Sequence, residues 1–73
     1  MSLNIILLGC GARGQLFADI LTANPHLGRI VAIADPIPDR RTKVGNQHNV
    51  PNENRFNTWQ DLFTKEMENG KHA

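Results

Sequence analysis

The sequence predicts an α/β fold built on a parallel sheet, and three observations carry that prediction. A run of apolar residues, with Asn4 as its single polar member, covers residues 3–8, the pattern of a parallel strand that is covered on both faces. Residues 9–14 follow directly, with glycine at positions 9, 11 and 14, and lead into an amphipathic stretch. A second apolar run over residues 30–34 is followed by Asp35, and it predicts a second strand over residues 29–35. Strand, glycine turn, helix and strand in this order indicate a βαβ unit.

The amphipathic stretch predicts a first helix over residues 12–23. Its larger apolar residues recur at helical spacing, so we expect them to form one stripe that faces the core. These residues are Leu16, Phe17, Ile20 and Leu21. Asn24 followed by Pro25 is expected to end the helix, because a residue before proline is disfavoured in helical geometry.

Two further elements continue the alternation of helix and strand. A polar helix is predicted over residues 38–47 and a short third strand over residues 55–57. The chain therefore predicts a partial Rossmann fold, a doubly wound parallel sheet of βαβαβα type with strand order 3-2-1. A complete domain of this type has about twice the length. Residues 1–73 therefore have the length expected for about half of such a domain.

A third helix is predicted over residues 58–69. Thr58 and Asp61 have the spacing of a capping box, and Gly70 suits the C-terminal cap. Apolar residues follow at helical spacing, which favours core packing. They are Trp59, Leu62, Phe63 and Met67. For the two aromatic residues, a platform on which bases stack is the alternative.

The three glycines predict a binding site for a dinucleotide. Gly9 allows a sharp turn out of the strand, Gly11 allows the backbone to approach a pyrophosphate, and Gly14 allows the helix to pack close to the sheet. The diphosphate would accept hydrogen bonds from backbone N–H groups in the first helical turn, which starts near Ala12. A glycine-rich turn without nucleotide affinity is the alternative.

The acidic residue at the end of the second strand favours NAD as the cofactor. Asp35 lies 21 residues beyond Gly14, where a carboxylate accepts hydrogen bonds from the adenosine ribose and repels a 2′-phosphate. Arg40, Arg41 and Lys43 follow that strand, and such a cluster accepts a 2′-phosphate. NADP therefore stays possible, with a solvated polar helix as the other explanation of the cations.

Three blocks of the sequence together resemble the N-terminal segment of the Gfo/Idh/MocA oxidoreductases, the relatives of glucose-fructose oxidoreductase and inositol dehydrogenase. The blocks are residues 5–14, residues 30–36 with the two arginines that follow, and residues 56–63. They occur in the order and spacing of that family. The resemblance implies an NAD(P)-dependent dehydrogenase that passes hydride between a nicotinamide and a sugar, polyol or related small molecule.

The resemblance also implies which residues bind the cofactor. They are Gly9, Gly11, Gly14 and Asp35, with Arg13 near the pyrophosphate and Pro36 in the turn on the adenine side. Full members of the family continue into a Glu-Lys-Pro segment with the catalytic lysine and into a C-terminal sheet domain. The resemblance therefore implies that residues 1–73 are the N-terminal half of a dinucleotide-binding domain, with the catalytic and substrate domain absent. No catalytic residue is therefore assigned here, and we expect the chain alone to be inactive.

Composition argues against several other classes of protein. Eight Lys and Arg balance seven Asp and Glu, so no basic surface indicates nucleic-acid binding. The sequence has neither a membrane-length apolar run nor a secretion signal, which predicts a cytoplasmic protein.

No metal site is expected, since His26, His48 and His72 lack ligand spacing and occur in segments where solvated side chains are typical. Cys10 is expected to fill the loop, with an oxidisable thiol as the alternative.

Two other functions remain open on the sequence alone. A nucleotide-sensing module would use the same glycines without chemistry. A structural fragment would instead fold by pairing with itself, because the first strand is a long apolar edge. We therefore expect a homo-oligomer, or another pairing through that strand, in addition to the dinucleotide.

Overall fold

A computed structural model describes the backbone of residues 3–69 and the side chains of residues 3–65. It contains three parallel strands that alternate with helices, so the predicted α/β class is confirmed. The elements are β1 (Leu3–Leu8), α1 (Ala12–Ala23), β2 (Gly28–Ala34), α2 (Pro38–Gln47), a 3₁₀ turn (Asn52–Asn54), β3 (Arg55–Phe56) and α3 (Trp59–Asn69). The proposed cap Gly70 lies outside the described residues.

The sheet has the order β1-β2-β3, in place of the predicted 3-2-1. The two orders are lists written from opposite edges of a sheet, and both place β2 in the middle. β2 pairs in parallel with β1 along its length and with β3 at Ile33 and Ala34 only. The carboxyl ends of all three strands therefore meet at one edge of the sheet.

β2 carries one extra residue relative to β1, and this changes which side chains face which side. Ile5 pairs with Ile30, but Ile6 pairs with Ala32, so Val31 has no partner in β1. Such a bulge interrupts the alternation of side chains. Ile30 and Ile33, three residues apart, consequently belong to the same core cluster.

Helices cover both faces of the sheet. The larger cluster packs α1 and α2 against one face; its buried members are Leu7, Cys10, Ala18, Leu21, Ile30, Ile33, Val44 and Val50. The smaller cluster packs Leu62 of α3 against Ala32 and Ala34 on the other face, with Phe56 beside it. Because strand side chains alternate, the sheet is the middle of three layers.

The prediction for the buried face of α1 is wrong for three of its four residues. Leu21 is buried, whereas Leu16, Phe17 and Ile20 are 61%, 42% and 44% exposed. Ala18 is fully buried instead. Gly14, Ala18 and Leu21 lie on one helical face, and this narrow face brings α1 close to the sheet. The close approach at Gly14 and Ala18 leaves no room on this face for the larger Leu16, Phe17 and Ile20.

The prediction for α3 is also partly wrong. Leu62 is fully buried, but Trp59 and Phe63 are 52% and 42% exposed, so core packing does not explain their spacing. The helix begins at Trp59, one residue later than predicted, and the Asp61 N–H donates to Thr58 Oγ1 at 3.1 Å. The side chain of Met67 lies outside the described part of the chain.

Other boundaries differ from the predictions by one residue. β2 covers Gly28–Ala34 where residues 29–35 were predicted, and β3 covers Arg55–Phe56 where residues 55–57 were predicted. α1 ends before Asn24, as Pro25 predicts, and the side chain of Asn24 donates to the Ile20 carbonyl.

The two leucines of α1 provide a matched test of this packing. We expect Leu21→Ala to lower the free energy of unfolding by about 2–5 kcal/mol, because it leaves a cavity in the larger cluster. Leu16→Ala, which removes the same atoms from an exposed position, should change it by less than about 0.5 kcal/mol. Urea unfolding of both variants measures the difference, and equal losses would contradict the assigned core face.

Candidate functional site

The glycine turn at the end of β1 has the backbone geometry that glycine favours. Gly9 has φ of +92°, a region that residues with a Cβ rarely adopt. Its N–H donates to the Ala34 carbonyl at 2.8 Å, which joins the turn to the end of β2. A Cβ built on Gly14 would overlap the Gly9 carbonyl oxygen. The turn and the first turn of α1 therefore contact each other through two glycines.

The N-terminus of α1 presents backbone donors at the carboxyl edge of the sheet. Gly11 is the N-cap residue, and no side chain in the described part of the chain caps this end. Ala12 and Arg13 are exposed there. Unpaired N–H groups and the positive end of the helix dipole both favour an anion.

Arg40 adds a second positive charge, besides Arg13, at the N-terminus of α1. Arg40 of α2 is exposed, and its Nη1 lies 3.3 Å from the position that a Cβ on Gly11 would occupy. The turn after β2 thus brings the guanidinium of Arg40 over the glycine loop, next to the donors of α1. This juxtaposition of cation and N–H groups is suited to a phosphate.

Asp35 is buried, with an exposed fraction of 3%, and both of its carboxylate oxygens accept backbone hydrogen bonds. The Cys10 N–H donates to Oδ2 at 2.5 Å and the Ile37 N–H donates to Oδ1 at 2.7 Å. The sequence predicts a carboxylate that accepts from a ribose. In the structure the same carboxylate also holds the glycine turn against the turn that follows β2.

A cavity of about 330 Å³ opens beside the glycine turn, on the face of the sheet that α3 covers. Its volume is at the lower end of the range for small-molecule sites. The lining residues are Leu8, Gly9, Ala34, Pro36, Asn57, Thr58, Trp59 and Gln60. Of residues 57–60, sequence reasoning suggested only Trp59, as the alternative to core packing, and it missed the other three. Their position directly after a parallel strand is the signal that identifies them, since ligands bind at that edge.

Cys10 fills the loop, as predicted, and belongs to the larger core cluster. Burial raises the pKa of its thiol to about 11, and the negative charge of Asp35 acts in the same direction. Arg40 and Arg41 lower the pKa, but by less. The thiol is therefore protonated and unreactive near neutral pH.

The histidines do not assemble a metal site in the described part of the chain, where no group of three or more His, Cys, Asp or Glu side chains lies together. His26 is exposed, as predicted. The expectation of a solvated side chain holds only in part for His48, which is half-buried and whose Nε2 lies 2.9 Å from the Ala18 carbonyl. This contact fastens the end of α2 to α1. His72 lies outside the described residues.

Comparison of the chain with known protein families, with curated proteins and with solved structures found no match to any of them. None of the helices described here has the length and hydropathy needed to cross a membrane. A function is consequently inferred from the glycine motif and from the geometry of the site.

Cys10 provides a test of the buried loop. With a pKa of about 11, about one thiol in a thousand is ionised at pH 8, against roughly a quarter for a free cysteine. We expect a thiol reagent to label the folded chain at least a hundredfold more slowly than the urea-unfolded chain at pH 8. Labelling should accelerate as the pH rises towards 11. Equal rates in the folded and unfolded chains would contradict this position of the thiol.

Proposed function

We propose that this chain is the dinucleotide-binding portion of an NAD(P)-dependent oxidoreductase of the Gfo/Idh/MocA type. Such an enzyme passes hydride between a nicotinamide and a sugar, polyol or related small molecule. The observation that carries the proposal is the uncapped N-terminus of α1, directly behind the Gly9 turn and at the carboxyl edge of a parallel sheet. The sheet with helices on both faces is, in this proposal, half of a Rossmann fold.

The residues at this edge fit a pyrophosphate. Gly11 has no side chain to keep a phosphate away from the backbone, and the N–H groups of the first turn are directed along the helix axis. Arg13 and Arg40 add positive charge on an exposed surface. Ala12, whose side chain is small, leaves that surface open. A doubly charged anion therefore finds donors and countercharge together.

Asp35 fits the adenosine end of the cofactor because it directly follows β2. Its carboxylate is not free, since it already accepts hydrogen bonds from the backbone. Each carboxylate oxygen has about two acceptor sites, and the backbone uses one on each. The remaining sites can receive a ribose hydroxyl only after a local movement, since the residue is buried. Its negative charge at the end of β2 disfavours a 2′-phosphate, and we therefore propose NAD as the cofactor, with Arg40 and Arg41 as the groups that would permit NADP.

The bound nicotinamide supplies the hydride chemistry in this proposal. The residues of this chain bind and orient the cofactor: Gly9 and Gly14 shape the loop, and α1 receives the pyrophosphate. Pro36 lines the cavity that leads away from the loop. We assign no catalytic residue to the chain.

Calorimetric titration with NAD tests the proposal. We expect saturable binding, and we expect Gly11→Ala to weaken it about tenfold or more, because a Cβ at this position separates phosphate from backbone donors. The variant should keep its fold, since the nearest atom to the new Cβ is the flexible end of Arg40. Circular dichroism checks the fold.

Two exposed arginines provide the matched control for this titration. Arg13→Gln should weaken NAD binding, whereas Arg29→Gln, at the amino end of β2, should leave it unchanged. A parallel titration with NADP decides between the two cofactors. A folded chain that binds neither would refute the proposal.

We also propose that the chain associates through β1, the second candidate function. No other described strand pairs with the outer edge of β1, and this strand exposes Leu3, Ile6 and Leu8. An open apolar edge is a template for pairing with another strand.

Sedimentation velocity tests this association. We expect species larger than a monomer at micromolar concentration, and we expect Ile6→Lys to shift the chain towards the monomer, because lysine on an edge strand disfavours pairing. Leu27→Lys is the control, since Leu27 is 50% exposed but lies outside β1. A wild-type chain that sediments as a monomer throughout would exclude this candidate.

A further inference from the structure

An exposed aromatic pair stands at the start of α3. Trp59 and Phe63 are about half exposed, and their ring centroids lie 5.7 Å apart with an interplanar angle of 69°. In this edge-to-face arrangement one ring supports the orientation of the other. Neither side chain belongs to a core cluster of the described residues, so packing among those residues does not account for the pair.

Trp59 also lines the cavity beside the glycine turn. It shares that cavity with Gly9, which begins the proposed phosphate site, and with Pro36, which follows Asp35. The other walls include the apolar side chains of Leu8 and Ala34. A flat, half-exposed ring therefore stands in a small apolar cavity that adjoins the phosphate site.

The polar residues of the cavity also come from the segment after β3. Asn57 and Gln60 line it, and their amide groups have both donors and acceptors. A purine requires this combination, since its faces stack on apolar or aromatic surfaces while its edge carries donors and acceptors. Pro36 follows β2, so the cavity lies at the carboxyl end of that strand. The adenosine half of a dinucleotide lies there in the proposed site.

We propose that Trp59 is the surface on which the adenine of the dinucleotide stacks, with its ring supported by Phe63. This inference rests on the proposed function, because it assigns a residue to one part of the same cofactor. Trp59 would make adenine a determinant of affinity. Its exposed position also means that replacing it removes little buried surface.

The composition of the chain makes the test direct. Trp59 is the only tryptophan and the sequence has no tyrosine, so intrinsic emission reports on this one position. We would titrate the full chain with NAD, with AMP and with nicotinamide mononucleotide, following both heat and emission. NAD and AMP should each change the emission of Trp59, and the dissociation constant from the emission titration should equal the one from calorimetry. Nicotinamide mononucleotide, which lacks adenine, should leave it unchanged.

Variants then measure what the ring contributes. Trp59→Ala should weaken binding of NAD and of AMP by about 5- to 150-fold, the range for loss of one stacked base. Trp59→Phe, which retains an aromatic face, should lose less. Phe17→Ala removes a similarly exposed aromatic residue from α1, outside the cavity, and should bind both ligands as the wild type does.

The outcomes separate this inference from the proposed function. If NAD binds with unchanged Trp59 emission and Trp59→Ala retains the wild-type affinity, the stacking assignment is wrong while the dinucleotide site stands. An emission change with nicotinamide mononucleotide alone would assign the ring to the other base and overturn the inference. Absence of NAD and AMP binding to the folded chain would refute both.

Discussion

The carboxylate of Asp35 connects the segments from which the candidate site is built. It accepts hydrogen bonds from the backbone of the glycine turn and of the turn after β2, while the Asp35 N–H donates to the Phe56 carbonyl of β3. Arg41 donates to the Asp35 carbonyl at 2.7 Å. Hydrogen bonds to an ionised acceptor are stronger than neutral ones, and burial protects them from competition with water. The shape of the glycine loop therefore depends on a residue 25 positions beyond it.

Close packing imposes the second constraint. Gly14 brings the first turn of α1 against the glycine turn, and Ala18 and Leu21 continue that narrow face into the core. The bulge at Val31 then gives β2 two isoleucines for the α1 side and two alanines for the α3 side. The Asn54 side chain donates to the Val31 carbonyl at 3.0 Å, so the extra residue keeps a hydrogen-bond partner. Small side chains set the distance between α1 and the sheet, and Leu16, Phe17 and Ile20 are left on the surface.

The candidate site results from where these constraints place three chain segments. The glycine turn, the turn after β2 and the start of α3 all follow the carboxyl ends of parallel strands, and so they meet at one edge. The backbone donors of α1 and the guanidinium of Arg40 lie beside Gly11, and an apolar cavity lined by Trp59 opens beside Gly9. A ligand with a charged centre and a flat aromatic end would match this arrangement, and this is the reason why we propose a dinucleotide in place of a free phosphate.

Local patterns determined much of this protein in advance. The apolar runs, Pro25 and the cap at Thr58 predicted the strands and α-helices to within about one residue, because these signals act between near neighbours in the chain. The glycine spacing likewise predicted the turn at Gly9. Only the tertiary structure decided that Ala18 is buried in place of Leu16, that Trp59 faces a cavity, and that the Asp35 carboxylate is occupied by backbone donors. Each of these depends on contacts between residues far apart in sequence, and periodicity within one element carries no information about them.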